Sequence, residues 1–393
     1  MDSLTCHAAT DSLSANLRLG MTEPADKVAG ADTRARDGMG NGNLSGAYSG
    51  SPLTPAHPAE SPAGHAAHAP FAVPLTGLPS GPVLREVKMH LVTPSHPVIG
   101  TVISSERCTT NSKSAALVRH VAIDISGTPL AGNFVAGQSF GVLPPGIEAA
   151  GKPHRLRLYS IASPSRGEDG EGNVLATAVK RTIDEDHNTH KLFLGVCSNY
   201  LCDLQIGDKV AITGPSGKRF VLPAQPDDHD YIFIATGTGI APFRGMIIEL
   251  LARQSTSSIT LIMGSPYTSD LLYHRQLTQL SAAHPRFTYL TAISREHGAS
   301  GERPMYVHHR LAHHPDRFIP LLRSPRTLVY VCGIAGMELG VLTTIATLLP
   351  RMEAEQYVRC VGDGPSFEDV SKWERTMIPR HITPTKRIFL EVY

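Results

Sequence analysis

Residues 231–242 read Tyr231-Ile232-Phe233-Ile234-Ala235-Thr236-Gly237-Thr238-Gly239-Ile240-Ala241-Pro242. An apolar run gives way to a glycine-rich turn, and the turn opens into Phe243-Arg244-Gly245-Met246-Ile247-Ile248-Glu249-Leu250-Leu251-Ala252-Arg253, which reads as a helix. A strand that is apolar on both faces belongs in a sheet covered on both sides. Glycines at 237 and 239 let the backbone turn sharply and approach a ligand closely, and Pro242 suits the first helical turn, where its missing N–H is not needed. The free N–H groups and the helix dipole then face an anion such as a pyrophosphate. A Gly-x-Gly turn alone is also an ordinary tight turn. The strand before it and the helix after it favour the phosphate reading.

Toward the C-terminus the same alternation continues. Apolar runs at 258–263 (SITLIM), 287–293 (FTYLTAI) and 327–332 (TLVYVC) are separated by helical stretches, the longest over 335–349, and 389–393 (FLEVY) reads as a closing strand. This predicts an open parallel sheet with helices on both faces. Toward the N-terminus, from 85 to 223, the pattern is different. Short strands such as VIGTVISSER (98–107), LVRHVAID (117–124), RLRLYSIAS (155–163), NVLATAVKRTI (173–183) and DKVAITG (208–214) are broken by Gly, Pro and Asn. They predict an antiparallel barrel, interrupted by one helical piece around Ser198–Leu201. Gly214-Pro215-Ser216-Gly217-Lys218 invites comparison with a P-loop, but Ile212 stands where that motif needs its first Gly. It reads as a turn between barrel and linker.

Residues 1–84 stand apart: rich in Gly, Ala, Pro and Ser and almost without periodic apolar residues, they predict a disordered extension. A plain tail or tether and an organellar transit segment are both open, although Asp2, Asp11, Glu23 and Asp26 are acidic for the latter. The expected domains are therefore 1–84 (extension), 85–223 (barrel) and 224–393 (α/β). Lys+Arg at 36 against Asp+Glu at 35 argues against nucleic acid as a general partner. No apolar run reaches the ~18 residues of an integral membrane segment. The cysteines at 6, 108, 197, 202, 332 and 360 contain no CxxC pair or iron–sulfur spacing, so an iron–sulfur centre, if involved, sits on a partner. His309 and His313 lie one helical turn apart without an accompanying carboxylate or cysteine, and read as a solvated face, not a metal site.

Two further segments carry chemistry. In Arg155-Leu156-Arg157-Leu158-Tyr159-Ser160, alternation puts Arg157 and Tyr159 on one face, which suits a phosphate and an aromatic ring held side by side. An ordinary strand with exposed arginines gives the same pattern. In Gly195-Val196-Cys197-Ser198, a strand end enters a short helix whose N–H groups suit a second diphosphate contact, or a helix cap at Ser198.

In this order, over about residues 95–393, these motifs resemble the plant-type ferredoxin–NADP(+) reductase family. The resemblance implies an FAD-binding barrel followed by a Rossmann-like NADP-binding domain, with FAD and NADP(H) as cofactors. It places Arg157, Leu158, Tyr159 and Ser160 on FAD, with Tyr159 against the isoalloxazine, the backbone of Ala178, Val179 and Lys180 at the adenine side with the basic Lys180 meeting the nicotinamide cofactor, and Gly195, Val196, Cys197 and Ser198 as the second FAD segment. It places Thr236, Gly237, Thr238, Gly239, Ser265, Pro266, Gly333 and Ile334 on the nicotinamide dinucleotide. Ser294, Arg295 and Tyr306 would recognise the 2′-phosphate. Ser160, Cys332, Glu391 and Tyr393 match the polar residues around the nicotinamide, with Tyr393 the ring that must move before hydride passes; a buried strand-end thiol is the alternative for Cys332. Arg155, Leu156 and Leu158 match the rim that meets ferredoxin or flavodoxin. The family usually has Lys or Arg two positions before the tyrosine, where this chain has Pro304, with Arg303 as a neighbouring substitute.

The expected activity is electron transfer between NADP(H) and ferredoxin or flavodoxin by a cytoplasmic monomer, or one in an organelle stroma if residues 1–80 direct import. The alternatives are a reductase component of an oxygenase system of the benzoyl-CoA epoxidase type and a non-catalytic flavoprotein scaffold or sensor. The segment 361–387 exceeds the usual family length, and nothing in the sequence explains it.

Overall fold

The computed structural model describes residues 81–110, 114, 116–148, 151–186, 188–298, 301–362 and 364–393. The extension expected over 1–84 lies outside the described residues as far as position 80. From Gly81 onward the chain is placed: Leu84 bridges Pro223, and Ala224 N–H donates to Val83 O at 2.8 Å. Arg85 pairs with Glu249, whose other oxygen accepts from Ser165 Oγ at 2.5 Å.

The first half contains β1 (Val98–Arg107), β2 (Val118–Asp124), β3 (Ser139–Leu143), β4 (Arg157–Ser160), β5 (Val174–Lys180), the pair β6 (Ile183–Glu185) and β7 (Leu192–Leu194), α1 (Val196–Asp203) and β8 (Lys209–Ser216). The main sheet is antiparallel in the order β4-β3-β8-β1-β2-β5. Its two edges meet. Thr177 Oγ1 donates to Ser160 O at 2.9 Å and Ala162 N–H to Ala176 O at 2.7 Å, which closes the sheet into a barrel. Val102, Val121, Ile123, Phe140, Val142, Leu175 and Ile212 fill the inside. The segment Gly214–Lys218 departs from the sequence reading as a turn. β8 runs on to Ser216, with a cis Gly214–Pro215 bond inside it, because Ser216 still pairs with Ser139; the chain turns only at Gly217.

The second half contains β9 (Asp230–Thr236), α2 (Ile240–Ala252), β10 (Ile259–Ser265), α3 (His274–Ala283), β11 (Phe287–Ile293), α4 (Val307–His313), α5 (Pro315–Arg323), β12 (Thr327–Gly333), α6 (Met337–Leu348), α7 (Arg351–Ala354), β13 (Val358–Cys360), β14 (Ile382–Pro384) and β15 (Ile388–Val392). Five parallel strands lie in the order β11-β10-β9-β12-β15. One face packs against helices α4 to α6 through Ile232, Ile262, Val329, Val331, Val341 and Ile345. The other packs against α2 and the barrel. There Phe220, just beyond β8, meets Phe243 at 5.8 Å and Tyr330 at 5.5 Å, and Phe389 stacks on Tyr330 at 4.3 Å. Each such buried ring contributes about 1.5–3 kcal/mol, so the barrel and the parallel sheet share a core.

A buried polar cluster crosses the same boundary. Arg244 of α2 grips Glu168 through both oxygens at 2.6 and 3.1 Å, donates to Ala162 O and Gln276 Oε1 at 3.0 Å, and lies over the Tyr273 ring. Burial would raise the Glu168 carboxyl, but Arg244 and His120 outweigh it and hold it below the ordinary value. Burial and the same arginine push His120 down to about 4, so its ring is neutral and bonds Tyr273 OH at 2.9 Å. The long segment 361–387 is also explained in part: β13 and β14 pair antiparallel at its base, and Trp373 is buried in the helix-covered core with Nε1 donating to Ser366 O at 3.0 Å.

Candidate cofactor site

The strand order 3-2-1-4-5, counted from β9, reverses between β9 and β12. In open α/β sheets a ligand sits at that reversal, outside the carboxyl ends of the strands. Two glycine turns meet there. After β9, Gly237 takes φ +53°, and residues 237–239 form a short 3₁₀ turn before α2 begins at Ile240, earlier than the sequence reading placed it. After β12, Gly333 takes φ +143°, and a Cβ there would run into the Thr236 hydroxyl. Thr236 Oγ1 instead accepts from Ile334 N–H at 2.9 Å, tying the two turns together. The result is a backbone cradle that a side chain would fill, beside the N-terminus of a thirteen-residue helix. That fits a dinucleotide diphosphate.

β15 runs parallel to β12 with Cys332 opposite Glu391 and Gly333 opposite Val392. Tyr393 is therefore carried to the cradle, where N–H donates to Gly333 O at 3.0 Å and its carbonyl accepts from Ala335 N–H at 2.9 Å. The residue is 62% exposed, and its hydroxyl reaches Thr238 Oγ1 at 2.5 Å. Burial, with Glu391 opposite, pushes the Cys332 thiol well up, so it stays protonated. Burial also raises Glu391 to about 7, and its Oε2 is without a hydrogen-bond partner. An unsatisfied carboxyl in a protein interior is costly, and here it stands two residues from the exposed Tyr393. Ala162 and Ala178 of the barrel lie in the same core cluster as Cys332.

On the barrel, Arg157 is exposed at the start of β4, while Tyr159 is half-buried and packs on Phe140 at 6.5 Å. Burial and the Cys197 side chain raise the Tyr159 phenol. That contact brings β4 against the first turn of α1. The first bond of that helix is Asn199 N–H to Gly195 O at 3.0 Å, which leaves the N–H groups of Val196, Cys197 and Ser198 ahead of the ladder. Ser198 is not the cap: Gly195 is, and the Ser198 hydroxyl bonds Gly195 O and Thr182 N–H. Arg181 pairs with Asp203 and Asn199, fixing α1 to the end of β5, where Lys180 is exposed. Arg157 and the three amides together suit a second diphosphate.

Residues 233–342 match the model of the oxidoreductase NAD-binding domain. A ferredoxin–NADP reductase of Thermosynechococcus vestitus is 40% identical over 264 residues, covering 65% of this chain and 67% of that protein. One from a Spirulina species is 37% identical, covering 65% of this chain and 88% of that one. The chain belongs to the ferredoxin–NADP reductase family. Among solved structures, the ferredoxin–NADP(+) reductase of Plasmodium falciparum with 2′P-AMP matches at TM-score 0.56 and 21% identity, covering 77% of this chain and 99% of that one, a likeness of fold. The fold is that of the family, an FAD-binding barrel followed by a Rossmann-like NADP-binding domain.

In this reductase the other candidate residues gather at the ends of β10 and β11. Ser294 N–H donates to Ser265 O and Arg295 N–H to Pro266 O, each at 3.0 Å. Arg295 and Arg303 are exposed. Tyr306, 61% exposed, is the N-cap of α4: its N–H donates to His309 Nδ1 at 3.3 Å, its carbonyl accepts from His309 N–H at 3.0 Å, and its ring stacks on His308 at 5.9 Å. Burial and the neighbouring His309 lower His308 to about 4. The sequence reading missed Arg310. Buried under this loop, it binds Glu302 through both oxygens, at 2.9 and 2.5 Å, and Thr291 O at 2.6 Å, and holds the Glu302 carboxyl below its ordinary value. An acidic residue beside the candidate phosphate site is thereby neutralised. The signal was an arginine on the apolar side of a short helix.

The candidate partner rim lies on the barrel. Arg155 is largely exposed, 4.0 Å from Glu148 Oε1, and Leu158 is 57% exposed, while Leu156 packs over Gly141. Among the described residues no group of His, Cys, Asp and Glu is placed to hold a metal ion, and no helix is long and apolar enough to cross a membrane.

Proposed function

We propose that this chain is a ferredoxin–NADP(+) reductase that passes electrons between NADP(H) and ferredoxin, or a flavodoxin, through non-covalent FAD. The observation that carries the reading is the convergence of Thr238, Gly333, Glu391 and Tyr393 at the strand-order reversal. The cofactors are FAD and NADP(H), and residues 85–223 hold the first and residues 224–393 the second. When bound, FAD accepts a hydride and releases electrons singly, which is the chemistry the pairing of a nicotinamide with a one-electron carrier requires.

The chain's own residues bind, orient and gate. Arg157 and the amides of Val196, Cys197 and Ser198 hold the FAD diphosphate, and Tyr159 backs the ring system. The backbone of Ala178, Val179 and Lys180 lines the adenine side, and the Lys180 side chain meets the nicotinamide cofactor. The cradle of Thr236, Gly237, Thr238, Gly239, Ser265, Pro266, Gly333 and Ile334 receives the NADP(H) diphosphate and ribose, and Ser294, Arg295 and Tyr306 its 2′-phosphate. Tyr393 covers the nicotinamide position and must swing aside. Ser160, Cys332 and Glu391 position the ring; of these Glu391 holds a proton near neutral pH, and Cys332 is not a nucleophile because its thiol stays protonated. Arg155, Leu156 and Leu158 meet an acidic carrier, whose opposite charge steers it into place.

Monomeric action is the proposed state. The proposed compartment is the cytosol, or an organelle stroma should residues 1–80 direct import; the relatives include cyanelle and chloroplastic enzymes. The oxygenase-component and scaffold readings find no support among the relatives. Anaerobic stopped-flow reduction of the bound flavin tests the assignment. NADPH is expected to bleach the flavin far faster than NADH. A protein without bound flavin, or a flavin that neither nucleotide reduces, would overturn it.

A further inference from the structure

β15 is an edge strand whose outer side faces a cleft of ≈ 910 Å³. The ladder to β12 fixes which groups look into it. Val329 N–H bonds Arg387 O and Tyr393 N–H bonds Gly333 O, so in a parallel ladder the odd-numbered residues of β15 face β12. Leu390 and Val392 therefore turn their N–H and C=O groups outward. Natural proteins cover or charge such an edge because it templates another strand. Here Leu390 and Val392 are half-buried at the bottom of a trench. One wall is Arg219, Phe220 and Phe389, from the barrel side and β15. The other is Ile378, Arg375 and Glu338, from the long 361–387 segment and α6.

The charges favour an anion. Glu338, 3% exposed, is already engaged by Gly336 N–H and by Arg375, at 2.7 and 2.8 Å. Arg375 is still 56% exposed on its side chain, and Arg219 is exposed and makes no ion pair among the described residues. We propose that this trench takes an extended acidic segment of a partner protein as an added strand on β15. The segment's backbone pairs with Leu390 and Val392, its carboxylates turn to Arg219, and its apolar side chains turn to Ile378. The occupant differs from the electron carrier at the barrel rim, and the inference does not require flavin chemistry. Because the strand ends at Glu391-Val392-Tyr393, occupancy also restrains the residues at the cofactor cradle.

The test uses the FAD-loaded full-length protein and a fluorescent, N-acetylated hexapeptide alternating valine and aspartate. Anisotropy is expected to show saturable binding below about 1 mM, and amide hydrogen exchange is expected to slow at Leu390 and Val392. Arg219→Glu, on the surface, should weaken binding by about fivefold or more. A peptide of the same charge with a central proline should fail, because proline removes a ladder donor. Equal binding of the proline peptide would mean charge alone and would overturn the proposal. So would no binding at about 1 mM, or protection that falls elsewhere.

Discussion

The phenol oxygen of Tyr393 lies 2.5 Å from Thr238 Oγ1, so the ring at the end of β15 is tied to the turn that opens α2. The Tyr393 backbone is fixed on both sides, by Gly333 O and Ala335 N–H. Displacing the ring is therefore a side-chain motion opposed by one hydroxyl contact. Tyr393→Phe removes that contact, keeps the ring and leaves Thr238 in the cradle. A hydrogen bond of this kind is worth about 1 kcal/mol net, so NADP(+) should bind about fivefold more tightly when the latch is gone. A difference-spectrum titration of the bound flavin reads the change. Unchanged or weaker binding would show that the hydroxyl pair does not restrain the ring.

Glu391 gives a prediction in pH. Its carboxyl is raised by burial to about 7 from the usual 4.5. The folded state therefore holds a proton there that the unfolded chain has lost between these values. Stability contributed by this group is present below pH 4.5 and declines as pH rises through 7. Glu391→Gln should flatten the urea-unfolding free energy over that window. It should also remove an inflection near pH 7 from flavin reduction by NADPH, while the inflection persists in Cys332→Ser. An unchanged profile in Glu391→Gln would assign the titration to another group.

At the proposed 2′-phosphate position Arg295 and Arg303 are both exposed cations, with Pro304 where the family usually has a basic residue. Arg295→Ala should lower kcat/KM for NADPH by about 10–100-fold, the worth of one charge-assisted contact, and leave NADH nearly unchanged. Arg303→Ala reports whether the neighbour shares the task. Should NADPH and NADH fall together in Arg295→Ala, the residue supports the loop and does not read the phosphate.

Much of this was legible because local and global signals agreed. The apolar run 231–235 followed by the Gly237 and Gly239 turn specifies a buried parallel strand entering a helix, and the structure places β9 and α2 there. The pairing of distant segments was not legible. Nothing local in Cys332 or Glu391 says that the two stand opposite each other, since the register is set by the whole β12–β15 ladder. Gly214–Ser216 misled for a related reason: glycine and proline usually break strands, yet pairing with Ser139 keeps β8 extended. Arg310 and Arg244 were invisible as sites because each is an ordinary helical residue until its carboxylate arrives from elsewhere in the chain.

The proposed partner rim is tested with charge. Arg155→Glu should slow reduction of an acidic ferredoxin several-fold at low ionic strength. The deficit should shrink as salt rises past the point where the screening length falls to about 8 Å. Ferricyanide, which needs no docking, should be reduced at the wild-type rate. Glu148 stands 4.0 Å away, so Glu148→Gln should act in the opposite direction on ferredoxin. Equal losses with both acceptors would move the docking surface away from this edge.

Arg244 tests what joins the two halves. Its guanidinium is 1% exposed and binds Glu168 twice, with His120 3.9 Å from the same carboxylate. Arg244→Leu strands Glu168 in the shared core without a counter-charge, and breaking a buried pair from one side costs roughly 3–5 kcal/mol. Urea unfolding should shift by that amount, with flavin fluorescence and circular dichroism moving together if barrel and sheet unfold as one unit. Adding Glu168→Gln removes the stranded charge, so the double variant should be more stable than the sum of the single losses predicts by at least about 1 kcal/mol. Strict additivity would mean that Arg244 stabilises through its packing on Tyr273 and its bonds to Ala162 and Gln276, with the ion pair incidental.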